Sequence, residues 1–381
     1  MRLAIAQSIH DIRPGDWNTL HGTDNPFLRH AFLAALETNG AVGGDSGWHP
    51  QYLLLTDNER LLGAVPLYLK EHSFGEFVFD WAWADAYARA GLNYYPKLVA
   101  SVPYTPVTGH RLLIRPDADR AGVTARLIDA AVEHARQLRV SSLHWLFVTG
   151  DEQTALTDYG LLHRQGCQFH WQNDGYSSFD DFLQALSSRK RKKIRQERQR
   201  VRDQSLRISV HTGHDIDDDL WRLFHHFYKS TFDRKMNYAP LRPGFFTEIG
   251  RTMADATMLI VAREHGEVVA GAFFLRNEHT LYGRHWGCNG YYDKLHFELC
   301  YYRAIEYCIE HGLTYFEAGA QGEHKLSRGF RPVITSSAHW IAHAEFRRAI
   351  SEFLHREGHA INDYAREMEL HVPYRDRGDA T

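Results

Sequence analysis

The chain has 381 residues, with 44 Lys and Arg against 47 Asp and Glu, so its formal net charge is −3. A domain usually takes about 150 residues, so this length predicts two or three domains. The balanced charge excludes a polyanion-binding surface spread over the whole molecule and leaves only local patches. Charged residues come too early for a signal peptide, and no apolar run approaches about 18 residues. We therefore expect a cytoplasmic protein without a transmembrane segment.

The cysteine and histidine patterns predict no metal site and no disulfide framework. Neither a zinc ribbon nor a set of disulfides is indicated, because no Cys-x-x-Cys pair occurs among the four scattered cysteines, Cys167, Cys288, Cys300 and Cys308. His339 and His343 lie in a predicted strand, where this spacing does not bring them together. His355 and His359 lack the adjacent Glu that helical zinc-protease motifs use.

Residues 1–175 are predicted to form one mixed α/β domain. Their apolar spacing predicts strands at 3–8, 51–56, 61–69, 111–115, 142–148 and 169–171, and helices at 27–38, 121–138 and 156–164. The stretch 74–109 mixes aromatic residues and prolines with a few polar groups. It is either a loop region packed by its own aromatic side chains or one side of a binding site for a small polar substrate. Asp85 and Tyr104 are the candidate substrate contacts in it.

Residues 176–345 are predicted to form a second α/β domain with a similar order of elements, followed by a terminal helix and tail at 346–381. Strands are expected at 206–211, 257–264, 268–276, 280–286, 313–318 and 336–343, and helices at 179–186, 189–202, 220–233, 245–254 and 294–311. The helix at 189–202 carries nine basic residues and one acidic residue. Such one-sided charge favours an anionic partner, phosphate or RNA, over a merely solvated face. The candidate donor-binding or phosphate-binding residues are Lys190, Arg191, Lys192, Lys193 and Arg195.

The loop at 319–330, GAQGEHKLSRGF, follows a predicted strand and is crowded with polar side chains. Loops at the carboxyl ends of strands commonly carry the chemistry of α/β folds. The alternative is a solvated turn with ordinary surface charges. Candidate substrate contacts in and near this loop are Gln321 and His324.

The second half resembles the FemAB-type branch of the GNAT acyltransferase superfamily. The resemblance rests on a series of features in one order: the RKRKKIR helix at 189–195, the FYKSTFDRK segment at 227–235, the hairpin strands EVVAGAFFL and YGRHWGC, and the GLTYFEAGA strand with its basic RGF loop. The whole chain is similar to uncharacterised bacterial FemAB-like N-acyltransferases linked to peptidoglycan synthesis. This resemblance implies an α/β fold with mixed sheets, built as two tandem GNAT-like domains.

FemAB proteins move an amino acid from aminoacyl-tRNA to an amino group of a peptidoglycan precursor. The resemblance therefore implies an anionic donor, aminoacyl-tRNA or acyl-CoA, as co-substrate, and an amine-bearing small molecule or cell-wall precursor as acceptor. Two rival hypotheses stay open: a CoA-dependent GNAT N-acetyltransferase, and a non-catalytic protein that binds RNA or phosphate. The segment 284–289 partly matches the pyrophosphate-binding motif of the CoA-dependent enzymes, and Arg284 is a candidate substrate-binding residue.

Acyl transfer to an amine requires a group that accepts the amine proton and a cation that stabilises the tetrahedral oxyanion. Lys325 and Arg328 are the candidate cations. Glu298 and Glu317 are the candidate proton acceptors, and His296 is a further acceptor or substrate contact. For each of them the alternative is a surface salt bridge or a satisfied polar group in the core.

Overall fold

The computed structural model describes residues 1–320 and 322–375. Contacts divide the chain into two compact units. Unit 1 comprises Met1–Cys167 and Ile334–Asp363, and unit 2 comprises Gln168–Val333 and the chain from Tyr364 onward. The predicted domain boundaries at residues 175 and 345 stay a prediction.

The first half of the chain contains nine strands and five α-helices. They are β1 (Arg2–Ala6), α1 (Pro14–Trp17), α2 (His30–Thr38), β2 (Trp48–Pro50), β3 (Tyr52–Asp57), β4 (Arg60–Val65), β5 (Leu67–Lys70), α3 (Trp81–Arg89), β6 (Lys97–Ala100), β7 (Leu113–Ile114), α4 (Arg120–Gln137), β8 (Ser142–Val148), α5 (Gly150–Asp158) and β9 (Leu162–Gln172).

The rest of the described chain continues with α6 (Phe179–Ala185), α7 (Ser188–Arg202), β10 (Leu206–Thr212), α8 (Asp218–Asp233), α9 (Pro243–Thr252), β11 (Thr257–Glu264), β12 (Glu267–Arg276), β13 (Thr280–Cys288), α10 (Leu295–Phe297), α11 (Arg303–Glu310), β14 (Tyr315–Glu317), β15 (Arg331–Ile341) and α12 (Ala344–Glu369). A π-helical turn, Glu298–Tyr302, joins α10 to α11.

Several predicted elements differ from the structure, among them the helix predicted at 294–311, which consists of α10, the π-helical turn and α11. The helix predicted at 156–164 is α5, which ends at Asp158, because Gly160 adopts a φ of 98° that a helix cannot continue through. The following strand is therefore long and begins at Leu162. The strand predicted at 61–69 is two strands separated by Pro66, whose nitrogen has no hydrogen to donate. The region 74–109 contains helix α3 and strand β6 rather than loops alone.

Unit 1 contains two groups of paired strands. One is the antiparallel sheet β1-β3-β4-β7, and the other has the order β15-β8-β6-β5-β2, in which β6 and β8 run parallel. Helix α4 packs closely on β4 at Gly63, where a Cβ atom would lie 2.8 Å from Cγ1 of Val123. The mixed strand directions and packed helices confirm the predicted α/β class for this unit.

Unit 1 also buries a charged cluster in its interior. The ammonium of Lys97 is fully buried and forms ion pairs with Glu76, at 2.8 Å, and with Asp80. Asp80 accepts a further hydrogen bond from the hydroxyl of Tyr94, and His144 lies 3.8 Å from the same carboxylate. Buried charges are tolerated when they are paired and hydrogen-bonded, as these are.

Unit 2 contains the strand order β10-β11-β12-β13-β14-β9. All neighbours are antiparallel except β13 and β14, which run parallel. Helix α8 packs tightly on β13 at Gly287, because a Cβ atom there would lie 2.1 Å from the backbone oxygen of Phe227. The α/β class with a mixed sheet is confirmed here as well.

Burial makes the folded protein sensitive to acid. Eleven histidines have a pKa lowered mainly by burial, for example His144 to about 3 and His170 to about 4. Such a group contributes stability above pH 6.5 that is lost as the pH falls toward its folded pKa. Three glutamates, Glu76, Glu298 and Glu317, have the opposite effect. Burial raises their pKa values, so the stability that they contribute increases as the pH falls.

We therefore expect the urea midpoint of unfolding, followed by tryptophan fluorescence, to fall steadily between pH 6.5 and about pH 4. A midpoint that stays constant or rises over this window would contradict the prediction.

Candidate active site

A small cavity lies where strands β13 and β14 stop pairing. Their parallel register covers Thr280↔Tyr315, Leu281↔Phe316 and Tyr282↔Glu317, whereas β13 continues to Cys288. The cavity of about 100 Å³ opens beyond that point and is lined by Ala272, Phe273, Phe274, Gly283, Arg284, His285, Trp286, His296, Cys300, Tyr301 and Ala318. Two predicted site residues, Arg284 and His296, therefore lie together in its wall.

Glu317 ends strand β14 immediately before the lining residue Ala318. Its register neighbours are Tyr282 on one side and His170 on the other. Its Oε2 atom is shielded from solvent and has no hydrogen-bond partner within residues 1–320 and 322–375. Burial raises the pKa of Glu317 to about 8, although Arg284 and Lys325 act to lower it. A carboxylate in this state is a stronger base than an ordinary glutamate.

Lys325 lies in the short 3₁₀ helix Glu323–Arg328 and is only 1% exposed. Its ammonium donates a hydrogen bond to the backbone oxygen of Gly319. Burial lowers the pKa of Lys325 to about 8, against the opposite effects of Cys300 and Glu317. Its charge also contributes to the lowered pKa of His296, whose largest cause is burial. Lys325, Glu317 and the cavity wall thus form one electrostatically coupled group.

Two other predicted catalytic residues are engaged in ion pairs. Arg328 donates a 3.0 Å hydrogen bond to Glu197 of helix α7, and its guanidinium lies 3.5 Å from the ring centre of Phe297. Glu298 accepts hydrogen bonds from Arg198 of the same helix, the shortest at 2.8 Å. These contacts fix the loop and the π-helical turn against α7.

Helix α7 also borders a groove of about 780 Å³. The groove is lined by Ser178, Phe179, Asp180, Leu183, Ser188, Arg191, Lys192, Arg195, Gln196, Arg198, Gln199, Arg202 and Glu306. Five of these residues are cations and two are anions. Burial and the neighbouring Lys193 and Arg189 lower the pKa of Lys190, which indicates positive charge in excess along this helix.

The remaining predicted site residues do not line this cavity. In unit 1, Asp85 is exposed on α3 and pairs with Arg89 at 2.9 Å, while the hydroxyl of Tyr104 donates to the backbone oxygen of Ala41. In unit 2, Nε2 of His324 lies 2.8 Å from the hydroxyl of Tyr301. Gln321 lies outside the described residues.

The partial pyrophosphate motif at 284–289 does not open a helix, which leaves CoA binding at this segment as the weaker alternative. Residues 284–288 belong to β13, and the next helix, α10, begins only at Leu295. Gly287 has a packing reason instead, since it lets the backbone of α8 approach the strand. Amides at a helix start, which would grip a pyrophosphate, are not provided at this segment.

Several residues of this region were not predicted from the sequence. His170 stands opposite Glu317 on β9, and burial lowers its pKa to about 4. Cys300 and Tyr301 line the cavity from the π-helical turn. Glu197 did carry a signal, because it is the single acidic residue of the basic helix and an inward position was the simplest reason for it.

No metal-binding arrangement is present in the described part of unit 2 or unit 1. No group of three or more His, Cys, Asp or Glu side chains among the described residues could hold a metal ion. Nor does any described helix have the length and apolar character needed to cross a membrane.

The fold and this site define an acyltransferase of the GNAT type. The sequence profile of the FemAB_like family, described as peptidoglycan biosynthesis/recognition, matches residues 8–376. The chain belongs to the FemAB-like family and is an acyltransferase of the aminoacyl- or acyl-transferring class. Among curated proteins, none matches the sequence.

Solved structures share the fold at low sequence identity. The crystal structure of FemX is 12% identical, covers 92% of this chain and 100% of its own, and gives a TM-score of 0.54. The C-terminal domain of a putative lysylphosphatidylglycerol synthetase from Agrobacterium fabrum is 11% identical, with 88% and 95% covered and a TM-score of 0.53. L-PGS from Bacillus licheniformis is 11% identical, with 93% and 97% covered and a TM-score of 0.51. These likenesses establish the two-part GNAT fold.

The buried pair Arg328–Glu197 gives a stability prediction. Arg328→Met leaves the Glu197 carboxylate buried without its cation, so we expect a loss of about 3–5 kcal/mol in the free energy of unfolding of unit 2. Urea denaturation measures it. The matched control is Arg195→Met, which breaks the well-exposed pair with Asp180 and should cost less than about 1 kcal/mol.

The double variant Glu197→Gln/Arg328→Met should lose less than the sum of the two single variants, because neither charge is then left alone. Equal losses for Arg328→Met and Arg195→Met would refute the assignment of a stabilising buried pair.

Proposed function

We propose that the cavity beside Glu317 and Lys325 is where an acyl or aminoacyl group passes from a donor ester or thioester to an amine. The observation that carries this proposal is the coupled pair itself. Glu317 is a half-buried carboxylate with a raised pKa and a solvent-shielded Oε2 atom, next in sequence to the lining residue Ala318. Lys325 is a buried ammonium with a lowered pKa, and it interacts electrostatically with the lining residues Cys300 and His296. Acyl transfer needs a base and an oxyanion-stabilising cation, and this pair supplies both.

The reaction assigned to the pair balances without any further reagent. The acceptor nitrogen attacks the donor carbonyl carbon and forms the new C–N bond, while the carbonyl oxygen takes up negative charge near the Lys325 ammonium. Glu317 accepts the proton that the nitrogen loses. The bond from the carbonyl carbon to the leaving oxygen or sulfur then breaks, and Glu317 passes the proton to the leaving atom.

Arg284, His296, Arg328 and Glu298 take supporting roles in this proposal. Arg284 lines the cavity and its charge acts on Glu317, so it orients polar substrate groups there. His296 has a pKa lowered to about 4 and is neutral at pH 7, which suits a hydrogen-bonding contact with substrate. Arg328 and Glu298 are positioning residues, because their charges are already paired with α7.

The groove along α7 is the proposed contact for the anionic donor. Arg191, Lys192 and Arg195 line it, Lys190 and Lys193 add charge nearby, and Lys192 has no ion pair with any described carboxylate. Aminoacyl-tRNA and acyl-CoA both present phosphates that such a groove would attract. An aminoacyl-tRNA donor would place the reaction in the cytoplasm, and the family description supports a peptidoglycan precursor as the amine-bearing acceptor.

The catalytic pair is tested by the pH dependence of transfer. With labelled aminoacyl-tRNA or acetyl-CoA and a peptidoglycan precursor, kcat/KM should follow a bell with its maximum near pH 8, because the pair titrates jointly there. Glu317→Gln should lower kcat about 10²–10⁴-fold and flatten the acidic limb. Lys325→Ala should lower kcat by about 10²-fold or more with little change in donor affinity.

The control for these two variants is Glu323→Gln. This substitution changes an exposed carboxylate on the short 3₁₀ helix that carries Lys325, and it should keep native turnover. Native turnover in Glu317→Gln or Lys325→Ala would remove the pair from the reaction. Binding of donor without transfer to any amine would favour a non-catalytic protein.

The groove is tested by the salt dependence of donor binding. Arg191→Gln/Lys192→Gln should weaken tRNA binding, and the slope of log affinity against log salt should fall by about one for each phosphate contact removed. Arg222→Gln, which removes an exposed cation already paired with Asp219, is the matched control. An unchanged slope would rule out the groove as the donor contact. Acetyl-CoA binding that is the same in the native protein and in Arg191→Gln/Lys192→Gln would favour the CoA-dependent alternative.

A further inference from the structure

A second basic surface lies in unit 2, on the segment that joins α8 to α9. Residues 234–242, RKMNYAPLR, contain three cations and no anion. Two large side chains stand out from it: Met236 is 95% exposed and Tyr238 is 75% exposed. Clustered exposed apolar groups in a soluble unit mark interaction surfaces. Unlike helix α7, this segment combines cations with an exposed aromatic ring.

Both ends of the segment contact residues that neighbour the wall of the cavity. Nη1 of Arg234 is 4.0 Å from Sγ of Cys288, two residues after the lining residue Trp286. The backbone amide of Leu241 donates to the hydroxyl of Tyr228, whose ring centre is 4.7 Å from that of His285, another lining residue. The segment therefore lies near the place where the acyl group is proposed to react, with one residue between each end and the cavity wall.

The cations of the segment are not neutralised by the nearby acid. Arg234 donates to the backbone oxygen of Ser230 and to the hydroxyl of Thr231, which are both neutral groups. The adjacent carboxylate, Asp233, is paired at 2.7 Å with Lys229 on α8. Lys235 contributes to the lowered pKa of His296, after burial, His324 and Arg328, so its charge reaches the cavity.

We propose that residues 234–242 bind the nucleotide of the acyl donor, with Tyr238 stacking on the base and Lys235 and Arg242 contacting its phosphates. This inference rests on the function proposed above and adds the residues that hold the nucleotide end of the donor. An aromatic ring beside unpaired cations fits a nucleotide, because each base offers a face for stacking and each phosphate a negative charge.

Both donor types contain an adenine nucleotide, but at different separations from the acyl group. In aminoacyl-tRNA the acyl group is esterified to the ribose of the terminal adenosine, so base and acyl group are neighbours. In acyl-CoA a long pantetheine arm lies between them. Since the segment lies near the cavity, the short separation of the tRNA terminus fits this site better.

The test measures binding of unreactive probes to the whole chain at one moderate salt concentration. The probes are a single-stranded RNA tetranucleotide ending in adenosine, the same backbone with an abasic last position, and CoA. Tyr238→Ala should weaken the adenosine-ended RNA about tenfold, and Tyr238→Phe should change it less than about twofold, because stacking is retained. The abasic probe should bind the native protein and Tyr238→Ala alike.

The matched control is Tyr315→Ala, an exposed tyrosine at the opposite end of β14 from Glu317, which should bind like the native protein. A loss seen with CoA instead of RNA would support the nucleotide site and assign it to CoA. The inference would be overturned if Tyr238→Ala bound the adenosine-ended RNA and CoA as tightly as the native protein does. It would also be overturned if the native protein bound neither of these two probes. Transfer assays separate the two proposals, since normal probe binding without transfer refutes only the proposed reaction.

Discussion

Charge pairing on the inner face of helix α7 is the constraint on which the site in unit 2 depends. A helix with nine basic residues can pack on an apolar core only if each inward charge meets an opposite one. Glu197 meets Arg328 and the hydroxyl of Tyr302, and Arg198 meets Glu298 and Glu306. The outer cations remain for solvent or a ligand. One helix thus holds the loop of Lys325 and Arg328 in place and carries the positive groove.

The same pairing separates the four residues that the sequence offered as catalytic candidates. Arg328 and Glu298 form ion pairs with residues on α7. Removing Arg328 or Glu298 would leave the charge of its partner on α7 without compensation. Lys325 is buried and Glu317 is half-buried, and neither is paired with α7, so desolvation brings the pKa of each to about 8. Groups that can gain and lose a proton near neutral pH are the ones suited to proton transfer.

Local sequence patterns predicted much of the fold, but the pairing of strands that are distant in sequence could not be predicted from them. Helices α4 and α7 and the hairpin strands β11 to β13 followed from apolar spacing, capping and turn residues. The end of α5 did not, because the left-handed Gly160 was not recognised as a helix stop. The loop with Lys325 was found from its polar composition. His170 was not, since its place opposite Glu317 depends on the pairing of β9 with β14, which are far apart in sequence.

The π-helical turn, Glu298–Tyr302, explains how one short stretch serves two surfaces. A π turn holds more residues than an α turn, so it changes which neighbours face the same side. Here Glu298 and Tyr302 reach the inner face of α7, while Cys300 and Tyr301 between them line the cavity. A continuous helix over 294–311, as its sequence spacing predicts, would place these side chains differently. The wall of the cavity and the anchoring of the basic helix are therefore set by the same irregular turn, and a change in either reaches the other.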